Sequence, residues 1–350
     1  MSWEDQPRGW DAVPAAVQHS ILAGWESGFG LPPVASAIYG RWWQIETWLR
    51  SLCYLEMRAK YGMEWVGRIE EQVRKRSESD QQYGHMSSPD ANDQLAYMDA
   101  SALLNLIEDE WAIVGGALLA KSVWPGRMDE LRNLRNRIGH CRRPHSDDLA
   151  RLEQMLRDLE PGALRALSAY NCLEVPSGTL GDPLVEAWVK GTHSDARRLL
   201  QHAVSQYEVS FRLRYSLRPW LDPAGLESLS GQAGVLWHAL WTSRRTPIDI
   251  ERLWTDYPLD RVSHLVMLTA NTPSHVGISF SAVDDPGEVA DAIGVCFDGI
   301  LTSLDRSGDY DRQEARLKGL RQHLDSRVQV QSSWSIVDGS TVPISIFGAE

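Results

Sequence analysis

Cysteine is scarce in this sequence. Cys53, Cys141, Cys172 and Cys296 lie far apart and form no C-x-x-C pair, which excludes a zinc ribbon and argues against a disulfide framework. They are expected to be reduced thiols. No stretch approaches the apolar length needed to span a bilayer, so no membrane partner is expected. The opening residues Met1 to Arg8 show neither a basic start nor an apolar run, and the expectation is a cytoplasmic protein without an export signal. There is no glycine-rich phosphate loop, no G-x-S-x-G and no H-E-x-x-H, which leaves ATP hydrolysis and metallohydrolysis without support. Asp309-x-Asp311 reads as a solvated acidic pair, and neither a metal nor a cofactor is expected. Positive charge is also short: 35 Lys and Arg face 47 Asp and Glu, for a net charge of −12. Most of the surface would repel nucleic acid, so binding of that kind must be confined to a local patch.

At 350 residues, with 43% hydrophobic and 23% charged side chains, the chain has the make-up of an ordinary globular protein and the length for two domains. Its 15 tryptophans stand out. Trp3, Trp10, Trp25, Trp42, Trp43, Trp48 and Trp65 all precede residue 66 and are expected to be core or interface anchors; nothing in their spacing favours a base-stacking platform.

Residues 36–60 carry Ile38, Trp42, Ile45, Leu49, Leu52 and Leu55 at three- and four-residue steps, which predicts a long amphipathic helix. A shorter helical piece is expected over 63–75, and a loop over 77–93. From Asp93 the positions Leu95, Met98, Ala102, Leu106, Ile113 and Ala117 predict a second long helix ended by Trp124-Pro125-Gly126. Another helix is expected from about Arg127 with Met128, Leu131, Leu134 and Ile138 as its stripe, loosened near its end by Gly139, and a last one over 147–159, capped by Ser146 and stopped before Pro161-Gly162. Beyond residue 172 the pattern changes. A capped helix over 194–207 precedes the alternating strand Val209, Phe211, Leu213, Tyr215, Leu217. Segments 262–268 and 276–283 flank Asn271-Thr272-Pro273-Ser274 as a hairpin, 286–304 and 310–324 read as helices, and 328–337 and 342–347 flank Asp338-Gly339 as a second hairpin. The expected fold class is therefore mixed: an N-terminal extension over 1–35, an all-α bundle of four or five helices over 36–171, and a smaller α+β domain with antiparallel hairpins over 172–350.

Within the bundle, the run Arg135-Asn136-Arg137-Ile138-Gly139-His140 sits at a helix end and is preceded by two long helices. It resembles the HEPN superfamily (higher eukaryotes and prokaryotes nucleotide-binding domains), a family of compact helical bundles with an Arg, a polar residue after it and a His five positions on. Arg135, Asn136 and His140 match those positions, and the resemblance covers roughly 36–160. The spacing alone carries little, because Arg197 and His202 repeat it; no bundle precedes that pair, which reads as a solvated helix face.

The residue types suit RNA cleavage by the 2′-hydroxyl of the substrate itself, which needs proton transfer and a cation but no metal. Histidine titrates near neutrality, so His140 can serve as base or acid. Arg135 can meet phosphate oxygens with a planar fork, and Asn136 can hold the phosphate or the imidazole. Five residues on a regular helix turn about 140° and rise about 7.5 Å, so Arg135 and His140 do not meet on a straight helix. The resemblance implies a homodimer in which both copies of the motif line one cleft. Glu46 and Asp109 are the acidic residues expected to orient Arg135. Arginines 127, 132, 135, 137, 142, 143 and 151 face only Asp129, Glu130, Asp147 and Asp148, and Arg132, Arg137, Arg142 and Arg143 are the expected RNA contacts on this basic strip. Read without the resemblance, Arg135 and Arg137 suit surface ion pairs, and His140 suits a helix end favoured by the dipole. The resemblance thus implies a metal-independent endoribonuclease, a toxin or anti-phage effector with a possible neutralising partner protein. The alternatives are a non-catalytic nucleotide- or RNA-binding scaffold, or an enzyme whose site lies in the second half.

Overall fold

A computed structural model describes residues 15, 16, 19, 33–69, 71–82, 93–177, 181–224, 226, 228–257, 259–320 and 325–330. The first long helix, α1, spans Pro33–Tyr61 and buries Ile38, Trp42, Ile45, Trp48, Leu49 and Leu52, as its periodicity requires. Its last third departs from amphipathic behaviour: Leu55, Glu56, Met57, Arg58 and Ala59 are all buried. The cause is a second neighbour, because the bundle covers one side of α1 and the sheet of the C-terminal half covers the other. A 3-10 turn at Gly62–Arg68 leads to α2 (Glu71–Gln81), six residues further along than the expected 63–75 piece reaches.

The second long helix is broken into a 3-10 turn at Gln94–Tyr97, α3 (Ala100–Asp109), the short α4 (Trp111–Val114) and a 3-10 turn at Gly115–Ala117. Asp93 and Asp99 each accept backbone N–H groups from the turn or helix that follows, so two caps divide what the hydrophobic spacing joins. Trp124-Pro125-Gly126 does not end a helix; it opens α5 (Trp124–Gly139). Proline in the first turn of a helix lacks only an N–H that would be unpaired there anyway, and buried Trp124 anchors the turn. The last bundle helix, α6, runs Asp148–Asn171 straight through Pro161. A proline inside a helix costs about 3 kcal/mol. Here the apolar face continues in register through Leu152, Met155, Leu156, Leu159, Ala163, Ala166 and Tyr170, and its burial outweighs that cost. Gly162 is needed on the same face, since a Cβ there would lie 2.0 Å from the Ala117 carbonyl oxygen. Ser146 is not the cap; Asp147 holds that position, and the first-turn Asp148 accepts from His145 N–H at 2.9 Å.

The C-terminal half is built on a five-stranded sheet, ordered β1 (Val209–Leu217), β2 (Val235–Ser243), β4 (His275–Ser281), β3 (Leu265–Thr272), β5 (Val328–Val330). All pairings are antiparallel except β3 with β5. The hairpin around Pro273-Ser274 is present as β3 and β4; of the hairpin expected across Asp338-Gly339, only the start of the first arm is described, as β5, which pairs in parallel with β3, and 331–350 lie outside the described residues. Helices α7 (Pro183–Trp188), α8 (Ala196–His202), α9 (Ile250–Thr255), α10 (Pro286–Thr302) and α11 (Tyr310–Leu320) complete the domain. Helix α8 ends in a single π-helical turn, Ala203–Tyr207.

The sheet has a helical layer on each face. Val235, Trp237, Ala239 and Trp241 of β2 join the core of α7, α8 and α10, while Leu236, Val266 and Met267 join the core of the bundle. Polar bonds tie the bundle to the sheet as well. Arg218 forms a buried ion pair with Glu56, whose carboxylate also accepts from Trp220 Nε1 at 2.7 Å. Arg58 donates to the His264 carbonyl at 3.0 Å and lies 3.5 Å from Asp284, and Tyr54 donates to the Val266 carbonyl at 3.1 Å. No helix among the described residues is long and apolar enough to cross a membrane.

Candidate functional site

Arg135 and His140 lie at the C-terminal end of α5, and the way that helix stops decides where they point. The N–H of Arg142 bonds back to the Arg137 carbonyl at 2.8 Å, and that of Cys141 to the Ile138 carbonyl at 2.9 Å. This pair of bonds is the Schellman arrangement, with Cys141 as its left-handed residue at φ 53°. The reversal therefore falls on Cys141, not on Gly139, which is the last residue of the helix. His140 is the C-cap, exposed, with its N–H still bonded to the Asn136 carbonyl at 3.2 Å.

The arginines of the basic strip divide into two sets. Arg127 bonds Glu130 and Asp158, each at 3.1 Å; Arg132 bonds Asp129 at 3.0 Å; Arg151 bonds Asp147 at 2.8 Å and, more closely, Glu130. Arg137 closes on the buried Asp148 through two nitrogens, the longer bond being 2.9 Å from Nε. Those contacts hold Glu130 below the usual carboxylate range, chiefly through the Arg151 hydrogen bond, and Arg151 does the same to Asp147. The surface-pair reading thus holds for Arg137 and fails for Arg135. Arg135, Arg142 and Arg143 have no hydrogen bond or ion pair among the described residues, and neither do the side chains of Asn136 and His140.

Arg135 is half-buried and curls back over its own helix, its Nη1 3.4 Å from where a Cβ on Gly139 would stand. It faces a cleft of about 390 Å³ between α1 and α5, with Ile138 and Gly139 beside it and Tyr39, Trp43, Glu46 and Arg50 opposite. Glu46 therefore shares the cleft with Arg135, yet its carboxylate is engaged by Arg50 at 2.5 Å. Arg50 is in turn held by the Met98 carbonyl at 3.0 Å. Asp109, at the end of α3, is exposed and does not line the cleft; nor do Asn136 and His140. One chain thus brings together Arg135 and Glu46 and leaves the histidine outside.

Of two aromatic residues at this cleft, Tyr39 escaped notice in the sequence and Trp43 was counted only among the core or interface anchors. Trp42, Trp48 and Trp65 are buried as expected, but Trp43 is 58% exposed and Tyr39 54% exposed, with ring centroids 6.4 Å apart. The available signal was their four-residue spacing on the side of α1 opposite Ile38, Trp42 and Ile45. The arrangement offers an uncompensated guanidinium and a flat aromatic surface side by side, which suits a phosphate and an unstacked base. His145, Asp147 and Asp148 stand close enough to suggest a cation site, but Arg137 already neutralises Asp148 and Arg151 neutralises Asp147.

No protein-family model, curated protein or solved structure matches the chain.

Proposed function

We propose that the chain is a metal-independent endoribonuclease that cuts RNA by attack of a 2′-hydroxyl on the adjacent phosphate. It works as a homodimer with α5 of each copy at the seam, in the cytoplasm, as a toxin or anti-phage effector with a neutralising or defence partner. The observation that supports this reading is the selective freedom of three side chains. On a helix whose Arg127, Arg132 and Arg137 are taken up by carboxylates, Arg135, Asn136 and His140 have no partner among the described residues. Of the three, Arg135 is half-buried, and a partly covered guanidinium without a carboxylate is the one that gains most from a bound anion, while Asn136 and His140 are exposed and open to a partner. Arg135 takes the phosphate and the charge that builds on it, His140 moves the proton, and Asn136 orients one of them. Arg142 and Arg143 attract the backbone, and Tyr39 and Trp43 receive a base. Because His140 lies off the cleft that holds Arg135, the proton-transfer group is supplied by the second copy, and a lone subunit is inactive.

The test is cleavage of RNA by purified protein in EDTA, beside His140→Ala and Arg135→Ala. The parent should give fragments with cyclic phosphate ends, and His140→Ala should slow cleavage by roughly 100-fold or more. Equal cleavage by parent and His140→Ala sinks the assignment. The position of His140 outside the cleft also favours a second reading, a binding scaffold. Its mark is a parent that binds RNA without cutting it, with binding lost in Arg135→Ala and kept in His140→Ala.

A further inference from the structure

A cavity larger than the Arg135 cleft, about 690 Å³, opens on the C-terminal domain between α8, α9, α10, α11 and the loop joining the last two. That volume falls within the range of about 300 to 1,000 Å³ typical of small-molecule sites. Its wall carries five arginines, 198, 252, 306, 312 and 316, against three aspartates, 249, 298 and 305. Three of these arginines also meet carboxylates just outside the wall, Arg198 with Asp195 at 3.3 Å, Arg252 with Asp256 at 3.8 Å and Arg316 with Glu251 at 2.8 Å, so the positive charge left to the cavity is that of Arg306 and Arg312.

The aspartates are already engaged. Asp249 caps α9 through the Arg252 N–H at 3.1 Å and accepts from Arg316 at 2.7 Å. Asp305 accepts from Gln313 at 2.8 Å and from the Ser307 N–H at 2.9 Å, and its carboxyl is held below the usual range by the Gln313 bond first, with the charge of Arg312 assisting. Asp298 lies 4.0 Å from Arg198. Arg306 and Arg312, by contrast, place no side-chain hydrogen bond or ion pair on any described residue. The loop that carries Arg306 is firmly seated, since the Asp305 N–H bonds the Pro247 carbonyl at 2.8 Å and Ile248 bridges Leu304. The backbone that carries Arg306 is thus fixed before a ligand arrives, and the exposed Arg306 and Arg312 side chains are ordered by the ligand itself.

Aromatic surface adjoins them. His202 and Tyr207 line the same cavity with ring centroids 5.2 Å apart and planes at 81°, at the two ends of the π-helical turn. Single π-helical turns are frequent at functional sites.

We propose that this cavity binds a nucleoside di- or triphosphate, with Arg306 and Arg312 on the phosphates and the base against His202 and Tyr207. The site is separate from the Arg135 cleft and does not depend on ribonuclease activity. A full-chain titration by calorimetry with ADP, pyrophosphate and adenosine tests it. ADP should bind, adenosine should bind at least about tenfold more weakly, and Arg306→Ala with Arg312→Ala should weaken ADP by at least about tenfold while leaving the thermal midpoint in place. His202→Ala should weaken ADP and leave pyrophosphate unchanged, and His140→Ala should bind ADP as the parent does. No heat with ADP up to about 1 mM, adenosine binding as tightly as ADP, or a double arginine variant that binds like the parent each overturns the assignment. Pyrophosphate binding as tightly as ADP overturns its nucleoside half.

Discussion

Acidification from pH 7 to pH 5 should weaken the fold through a single buried histidine. His238, on the central strand β2, is 3% exposed and lies between Ser216 Oγ at 2.8 Å from Nε2 and Ser279 Oγ at 3.0 Å from Nδ1. Tyr170 of α6 covers it edge-on at 5.0 Å and bonds Ser279 at 2.6 Å. Burial, and then the charge of Arg218, push its pKa from 6.5 down to about 3. The folded chain therefore refuses a proton that the unfolded chain accepts. Stability from this group is complete above pH 6.5 and falls as pH drops toward 3. At 1.36 kcal/mol per pH unit, the 1.5 units between 6.5 and 5 amount to about 2 kcal/mol. For a chain of this length that corresponds to roughly 3 °C in midpoint temperature. Urea denaturation of the parent and of His238→Gln at both pH values measures it. The glutamine variant starts lower at pH 7 because its bonds to the serines are poorer, but it should lack the 2 kcal/mol fall (about) on acidification that the parent shows. If both proteins lose the same stability between pH 7 and pH 5, the account of His238 is wrong.

Two further expectations concern contacts the fold depends on. Glu56→Ala leaves the fully buried Arg218 without its carboxylate and removes the acceptor of Trp220, and should cost about 3 to 5 kcal/mol in urea denaturation; a loss under about 1 kcal/mol would refute the role of this pair. Gly162→Ala sets a methyl 2.0 Å from the Ala117 carbonyl, a backbone atom that cannot swing aside, and should cost about 3 kcal/mol or lower the soluble yield sharply; a parent-like midpoint would show that α6 shifts freely.

Helix α10, the first two thirds of α1 and the edge strand β1 were legible because each presents one face to a core and a period of 2 or 3.6 survives in the side chains, whereas the hairpin of β3 and β4, buried almost without alternation, was legible from its turn residues Asn271 to Ser274. Strand β2 was not, since both of its faces are covered and Val235 to Ala239 are buried without alternation. The same cause hid the depth of α1, whose Glu56 and Arg58 are buried beside the sheet. Pro161 and Trp124-Pro125 misled in opposite directions: packing carried a helix through the first, and the second began a helix it was expected to end.

The candidate site divides in the same way. Local sequence was enough to put Arg135, Asn136 and His140 at the end of one helix, because helix periodicity and the stop after Gly139 are short-range properties. Arg127 and Arg132 find Glu130 and Asp129 within α5 itself, as three-residue spacing allows, but the fate of Arg135 and Arg137 was decided by tertiary structure. Arg137 meets Asp148 eleven positions away and Arg127 meets Asp158 on the neighbouring helix, whereas Arg135 turns into a cleft whose carboxylate, Glu46, already belongs to Arg50. Such cross-element pairs depend on distances of a few ångströms between segments that spacing within one helix does not encode.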